Sequence, residues 1–122
     1  MVENKSFINE KGFLQVVMPQ EQTTDSVKAI VNKATELIGQ LRNQNRKVLI
    51  LVDISGMSTI LSTSIRQVGF SLLKEVDFDR LAIVAPAKIV RYLVDIFNRT
   101  ILKNPNLRLF DTLEAAEAWL LS

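Results

Sequence analysis

The side chains with chemistry to offer are gathered in one stretch. Asp53 closes an apolar run, Val48 to Val52, and six hydroxyls follow between positions 55 and 64: Ser55, Ser58, Thr59, Ser62, Thr63 and Ser64. Hydroxyls between the end of a strand and the start of a helix have two uses. They can cap, because Ser and Thr oxygens accept from the exposed N–H groups of turns and helix starts. Ser64-Ile65-Arg66-Gln67 fits such a Ser-x-x-Gln capping box. They can also carry phosphate. A phosphate at a helix N-terminus faces exposed N–H groups and the favourable end of the dipole. It adds nearly two negative charges without unfolding the helix, so a surface that accepted a neutral hydroxyl is repelled. Asp53 is read first as a cap for the turn that follows it.

The residue types that are missing narrow the chemistry further. The chain has no His and no Cys, so nucleophile systems built on His or Cys have nothing to form from. The common zinc sites lack their ligands for the same reason. Neither the P-loop nor the dinucleotide-binding glycine fingerprint occurs, and four glycines leave little for a phosphate-cradling loop. The expectation is a non-enzymatic chain with no cofactor and no metal. The net charge of +2, with Lys and Arg scattered among acids, gives no basic stripe for nucleic acid. No apolar run approaches the roughly 18 residues of a membrane helix, so no membrane insertion is expected. Met1 to Lys5 leads into no long apolar region, so no signal peptide is expected. Without Cys nothing requires an oxidising compartment, and a cytoplasmic location follows as the expectation.

The elements that must position Asp53 and the hydroxyls can be read in order. Ser6-Phe7-Ile8 and Phe13 to Met18 are short strands joined by Asn9-Glu10-Lys11-Gly12, a polar link ending in Gly that fits a hairpin. Pro19 stops the second strand. Thr23, Thr24 and Asp25 are cap candidates for a first helix whose apolar face is Val27, Ile30, Val31, Ala34, Leu37, Ile38 and Leu41. Residues 48–52 form a strand buried on both faces. A second helix is predicted from Ser62 to Lys74, with Gly69 on its inner face. Arg80 to Val84 is a buried strand. A third helix runs through Ile89, Val90, Leu93, Ile96, Phe97 and Ile101 and ends before Pro105. Leu107 to Phe110 is a last strand. Asp111 with Glu114 three residues on reads as a capping box for a terminal helix, and Trp119 reads as a core plug near its end.

The resulting order is β-β-α-β-α-β-α-β-α. It predicts a single α/β domain over residues 1–122, with a mixed, mostly parallel sheet and helices packed on it. The carboxyl ends of such strands are where open α/β sheets place their sites.

That order, with Asp53-Ile54-Ser55-Gly56-Met57 closing the central strand, resembles the STAS family: the anti-sigma factor antagonists and the cytoplasmic domains of sulphate transporters. The family pattern closes its strand with Asp-Leu-Ser-Gly-Val and opens the next helix with Asp-Ser-Ser-Gly. Placed without a gap, the second part falls on Leu61-Ser62-Thr63-Ser64. Leu61 replaces the family's Asp and Ser64 its Gly, while Ser62 stands at the family's phosphorylated position. Leu107 to Ala116 looks like the closing strand and helix. The ending Ala116-Glu117-Ala118-Trp119-Leu120 resembles the looser SpoIIAA-like branch. The resemblance implies a regulatory protein-interaction module. Its partner is an anti-sigma factor or kinase-like protein, and its partner-binding surface is Asp53, Ser55, Gly56, Met57, Ser58 and Thr59. Ser62, Thr63 and Ser64 are then the candidate phosphorylation positions. Two other readings stand beside it. In one the same fold takes a nucleotide or lipid in the groove beyond the strand ends, with Tyr92, Phe97 and Ile101 suiting a lipid if exposed and serving as core if packed on the sheet. In the other Asp53 is the phospho-accepting Asp of a receiver-like domain, although no Asp-Asp or Glu-Asp pair occurs for it.

Overall fold

The structure, a computed structural model, describes residues 4–18, 22–54, 67, 71, 73–85 and 87–122. Two short strands, β1 (Lys5–Ile8) and β2 (Leu14–Val17), form an antiparallel hairpin. Its turn is built by Asn9 and Gly12. The Asn9 Oδ1 accepts from the N–H groups of Lys11 and Phe13, both at 3.0 Å. Gly12 takes a φ of +85°, a left-handed conformation that favours a residue without Cβ. Strands β3 (Leu49–Asp53), β4 (Arg80–Val84) and β5 (Leu107–Phe110) follow, and the sheet order is β1-β2-β3-β4-β5. β2 to β5 run parallel, so β1 is the antiparallel member of a mixed sheet. The α/β fold expected from the pattern is the fold observed.

Among the described residues, α1 (Thr24–Asn43), α2 (Lys88–Phe97) and α3 (Leu113–Leu121) are the α-helices given over their whole length. Thr23 is the N-cap of α1. Its hydroxyl accepts from Ser26 N–H at 3.0 Å, and the Ser26 hydroxyl accepts from Thr23 N–H at 2.9 Å. A reciprocal box of this kind satisfies donors that the first helical turn leaves open. Residues 67, 71 and 73–75 are also helical and belong to the second helix expected from the sequence. The beginning of that helix, and Gly69, lie outside the described residues, as does Pro19.

Helices cover both faces of the sheet. The apolar stripe of α1 (Ile30, Leu37, Leu41) packs with Val90 and Val94 of α2 on the face that carries Ile50 and Ile83. On the opposite face Ala116 and Leu120 of α3 pack against Leu51, Ala82, Val84 and Phe13. β3 therefore supplies both cores by alternation, which is what its unbroken apolar run requires. Leu51 and Val48 are completely buried, and each such side chain contributes roughly 1.5–3 kcal/mol by leaving water.

Two details differ from the sequence reading. The terminal helix is capped by Thr112 and not by Asp111: Thr112 is extended and its hydroxyl accepts from Ala115 N–H at 3.2 Å. β5 stays in the ladder to its end, where the Phe110 carbonyl accepts from Ala85 N–H at 3.0 Å. Asp111 is then needed to turn the chain, and the cap falls one residue later. The third helix also does not run as one α-helix to Ile101. It changes after Phe97 into a π-helical turn, Asn98–Leu102. The Asn98 side chain holds that turn, donating to the carbonyls of Asn104 (3.1 Å) and Leu107 (3.4 Å) and accepting from Asn104 N–H (3.1 Å). The wider turn, followed by left-handed Lys103 (φ 52°), steps the chain across to β5.

Candidate functional site

Parallel pairing in register brings the carboxyl ends of four strands to one rim. Val17, Asp53, Val84 and Phe110 are neighbours across it. Backbone bonds close the ladder up to this rim: Met18 N–H to Asp53 O at 2.9 Å, and Ile54 N–H to Val84 O at 3.0 Å. Asp53 is thus the last residue of β3. It is half-buried and engaged with its surroundings. Its position places its side chain on the α3 side of the sheet, with Leu51 two residues before it. The reading of Asp53 as the residue that ends the central strand holds, although the strand includes it where the apolar run stops at Val52.

The remaining members of the predicted surface, Ser55, Gly56, Met57, Ser58 and Thr59, lie outside the described residues. So do Ser62, Thr63 and Ser64 and the proposed capping Ser of Ser64-Ile65-Arg66-Gln67. Gln67 is helical and exposed. The structure thus places Asp53 and Ile54, the residues that lead into the hydroxyl stretch, at the centre of the rim.

One residue near the rim was not singled out in the sequence. Arg91, in the first turn of α2, donates from Nη1 to the Ala85 carbonyl at 2.9 Å, just past the end of β4. It fixes the start of α2 to the sheet and puts a guanidinium near the strand ends. Its signal in the sequence was weak: a cation soon after a strand-ending Pro86, in a helix otherwise rich in apolar residues. Among the described residues no three His, Cys, Asp or Glu side chains come together as a metal-holding group.

The stripe on the third predicted helix divides. Phe97 is buried in the core, whereas Tyr92 is 58% and Ile101 55% exposed. The π-turn separates Ile101 from the helix that carries the other two. Trp119 is half-buried and not fully enclosed. Its ring lies 5.7 Å from that of Phe110, with the guanidinium carbons of Arg80 and Arg108 at 5.2 and 5.5 Å. It is a lid on the second core, held by two cations. Among the described residues no helix is long and apolar enough to cross a membrane.

The family model described as SpoIIAA-like matches residues 13–121. The chain belongs to the SpoIIAA-like family. Among solved structures it is similar to an uncharacterised protein of the DUF3478 family with a SpoIIAA-like fold, from Shewanella loihica PV-4. The two are 18% identical, with a TM-score of 0.60, over 96% of this chain and 91% of that one. At that identity the likeness is one of fold. No curated protein matches the chain. Membership agrees with the resemblance carried by Asp53-Ile54-Ser55-Gly56 and by the Trp119-Leu120 ending, and it fixes the STAS-type fold.

Proposed function

We propose that this SpoIIAA-like chain is a non-enzymatic regulatory module. It binds a protein partner through Asp53, at the strand-end rim, together with Ser55, Gly56, Met57, Ser58 and Thr59, which follow it in the sequence. The observation that carries the reading is the position of Asp53: it ends the central parallel strand at the sheet's carboxyl rim and delivers the chain straight into the hydroxyl stretch. By resemblance the partner is an anti-sigma factor or kinase-like protein, and Ser62 is the switch, with Thr63 and Ser64 beside it. A neutral hydroxyl surface docks. A phosphate at the start of the second helix is accommodated by helix N–H groups, and its charge drives the partner away. The mechanism asks for no catalytic residue in this chain, which suits a sequence without His or Cys.

The test is a comparison of captured partners from the native source. Wild type, Ser62→Asp and a control at an exposed hydroxyl of α1, Thr35→Asp, are immobilised with and without phosphatase treatment of the extract, and phosphosites on the recovered chain are mapped. Wild type and the control are expected to retain a partner that Ser62→Asp loses. Equal recovery by all of them refutes the switch.

A further inference from the structure

The two faces of the sheet are covered unequally. Leu14 and Val16 of β2 belong to the core beneath α1, and Ile8 and the Ser6 hydroxyl of β1 face that helix too. By alternation Lys5, Phe7, Gln15 and Val17 lie on the other face. The hairpin register sets Phe7 beside Gln15 and Lys5 beside Val17, so the four make one patch. On that face α3 packs over β3, β4 and β5. Among the described residues none of β1 or β2 joins the core beneath it. Phe7 is accordingly 39% exposed, and Lys5 is exposed as well.

α3 carries a matching surface. Glu114 and Glu117 are the charged side chains of its nine residues, and a helix apolar nearly all round is normally buried. Ala116 and Leu120 face its own sheet. At about 100° per residue, Glu114, Ala118 and Leu121 fall on the opposite side of the helix. All three are exposed, Leu121 at 63%. Glu117 lies between the two sides and pairs with Lys11 of the hairpin. Glu114 and Lys5 form no ion pair among the described residues. Both surfaces start at the carboxyl rim. Lys5 stands beside Val17 there, and Glu114 sits in the first turn of the helix that follows Phe110.

We propose that the bare patch receives α3 of a second copy of this chain, in a two-fold dimer. A half-turn about an axis parallel to the strands moves α3 from the β3–β5 half of its own sheet to the β1–β2 half of the other sheet. It also preserves the direction of the helix. The two α3 helices then share one layer between two sheets, and the contact is made twice, once by each copy. Glu114 meets Lys5 of the second copy at the rim end. Leu121 reaches Phe7 lower down, and the small Ala118 between them lets helix and sheet approach closely. Charge complementarity selects this occupant, because the cation of the bare patch and the acid of the bare helix side stand at the same level. Any other helix would cover the patch and leave Glu114, Ala118 and Leu121 in water, whereas the half-turn covers both surfaces at once. Asp53, in the same row as Lys5 and Val17, is half-buried and already engaged. The proposal does not rest on the switch at Ser62.

The test is sedimentation velocity of the full chain over a concentration series, which gives the dimer dissociation constant. Wild type is expected to dimerise. Lys5→Glu and Glu114→Lys should each weaken the dimer at least fivefold, since each sets like charges together at both contacts. Mixed in equal amounts, the two variants should associate within about twofold of wild type, because both contacts of the mixed dimer again pair opposite charges. The double variant Lys5→Glu, Glu114→Lys should recover in the same way. Leu121→Lys removes the apolar anchor and should weaken the dimer at least tenfold. All these positions are exposed, and circular dichroism checks that each variant is folded. If one charge variant does not fold, the double variant and Leu121→Lys still decide. A wild type that stays monomeric up to about 1 mM overturns the proposal. So does a dimer that tolerates the single charge variants or Leu121→Lys, and so does a failure of both the mixture and the double variant to recover.

Discussion

Asp79 holds the entry to the central strand, and replacing it should cost far more than replacing its neighbour Asp77. The Asp79 Oδ2 accepts from Val48 N–H at 2.7 Å and from Arg42 Nη1 at 3.1 Å. The backbone returns the contact, with Asp79 N–H donating to Val48 O at 2.8 Å. Val48 is completely buried, so its N–H has no water to turn to when the carboxylate is removed. An orphaned buried donor costs about 1–3 kcal/mol. The ion pair with Arg42 adds little, because the Asp79 side chain is 41% exposed and solvent screens it. Asp79→Ala should therefore lose about 2 kcal/mol, a fall in Tm of roughly 6–12 °C for a chain of this size. Asp77 also binds Arg42, at 3.1 Å, but is 74% exposed and supports no backbone group. Asp77→Ala should lose less than about 0.5 kcal/mol. Asp79→Asn keeps an acceptor for Val48 and should fall between the two. Urea unfolding followed by Trp119 fluorescence gives all three values, with the m-value unchanged. If Asp77→Ala and Asp79→Ala are equally destabilised, the cost lies in the ion pairs and the buried-amide argument is wrong.

Other substitutions separate the two cores and the caps. Leu51→Ala opens a cavity between β3 and α3, and should cost about 2–5 kcal/mol in the same assay. Thr112→Ala should cost about 1 kcal/mol and Asp111→Ala distinctly less, because only Thr112 accepts from the first turn of α3; equal effects would return the cap to Asp111. Gly12→Ala forces a Cβ into left-handed backbone and should cost about 1–2 kcal/mol. The Arg46 side-chain end that it meets can move aside, so Gly12→Asn, which tolerates that conformation, should recover much of the loss.

Much of the fold was legible because its signals are local. Val48 to Val52 is apolar at every position, so the strand had to be buried on both faces, and the stripes of α1 and α2 follow the helical period. The cap of α3 was missed by one residue because its position depends on how far β5 stays zipped to β4, a tertiary fact. The π-turn was missed because Asn98 looks like any polar helix residue until Asn104 and Leu107 are brought back to it. Trp119 was read as a plug because Arg80 and Arg108, which face its ring, come from separate strands and meet only in the folded sheet. At the site, Asp53 was legible as the end of the central strand. Arg91 was not, since a helix cation has no visible target in sequence. The position of Ser62 came from motif spacing alone.

The central claim is that the stretch after Asp53 is a partner surface gated by charge at Ser62. The most direct measurement is calorimetric titration of the captured partner with wild type, Ser62→Ala and Ser62→Asp. Each variant is first checked for a Tm within a few degrees of wild type. Ser62→Ala should bind like wild type, and Ser62→Asp should bind at least tenfold more weakly, a loss of about 1.4 kcal/mol or more. A folded Ser62→Asp that binds at full strength would contradict the account, and an unfolded one would make the Ser62 hydroxyl a structural cap instead of a switch.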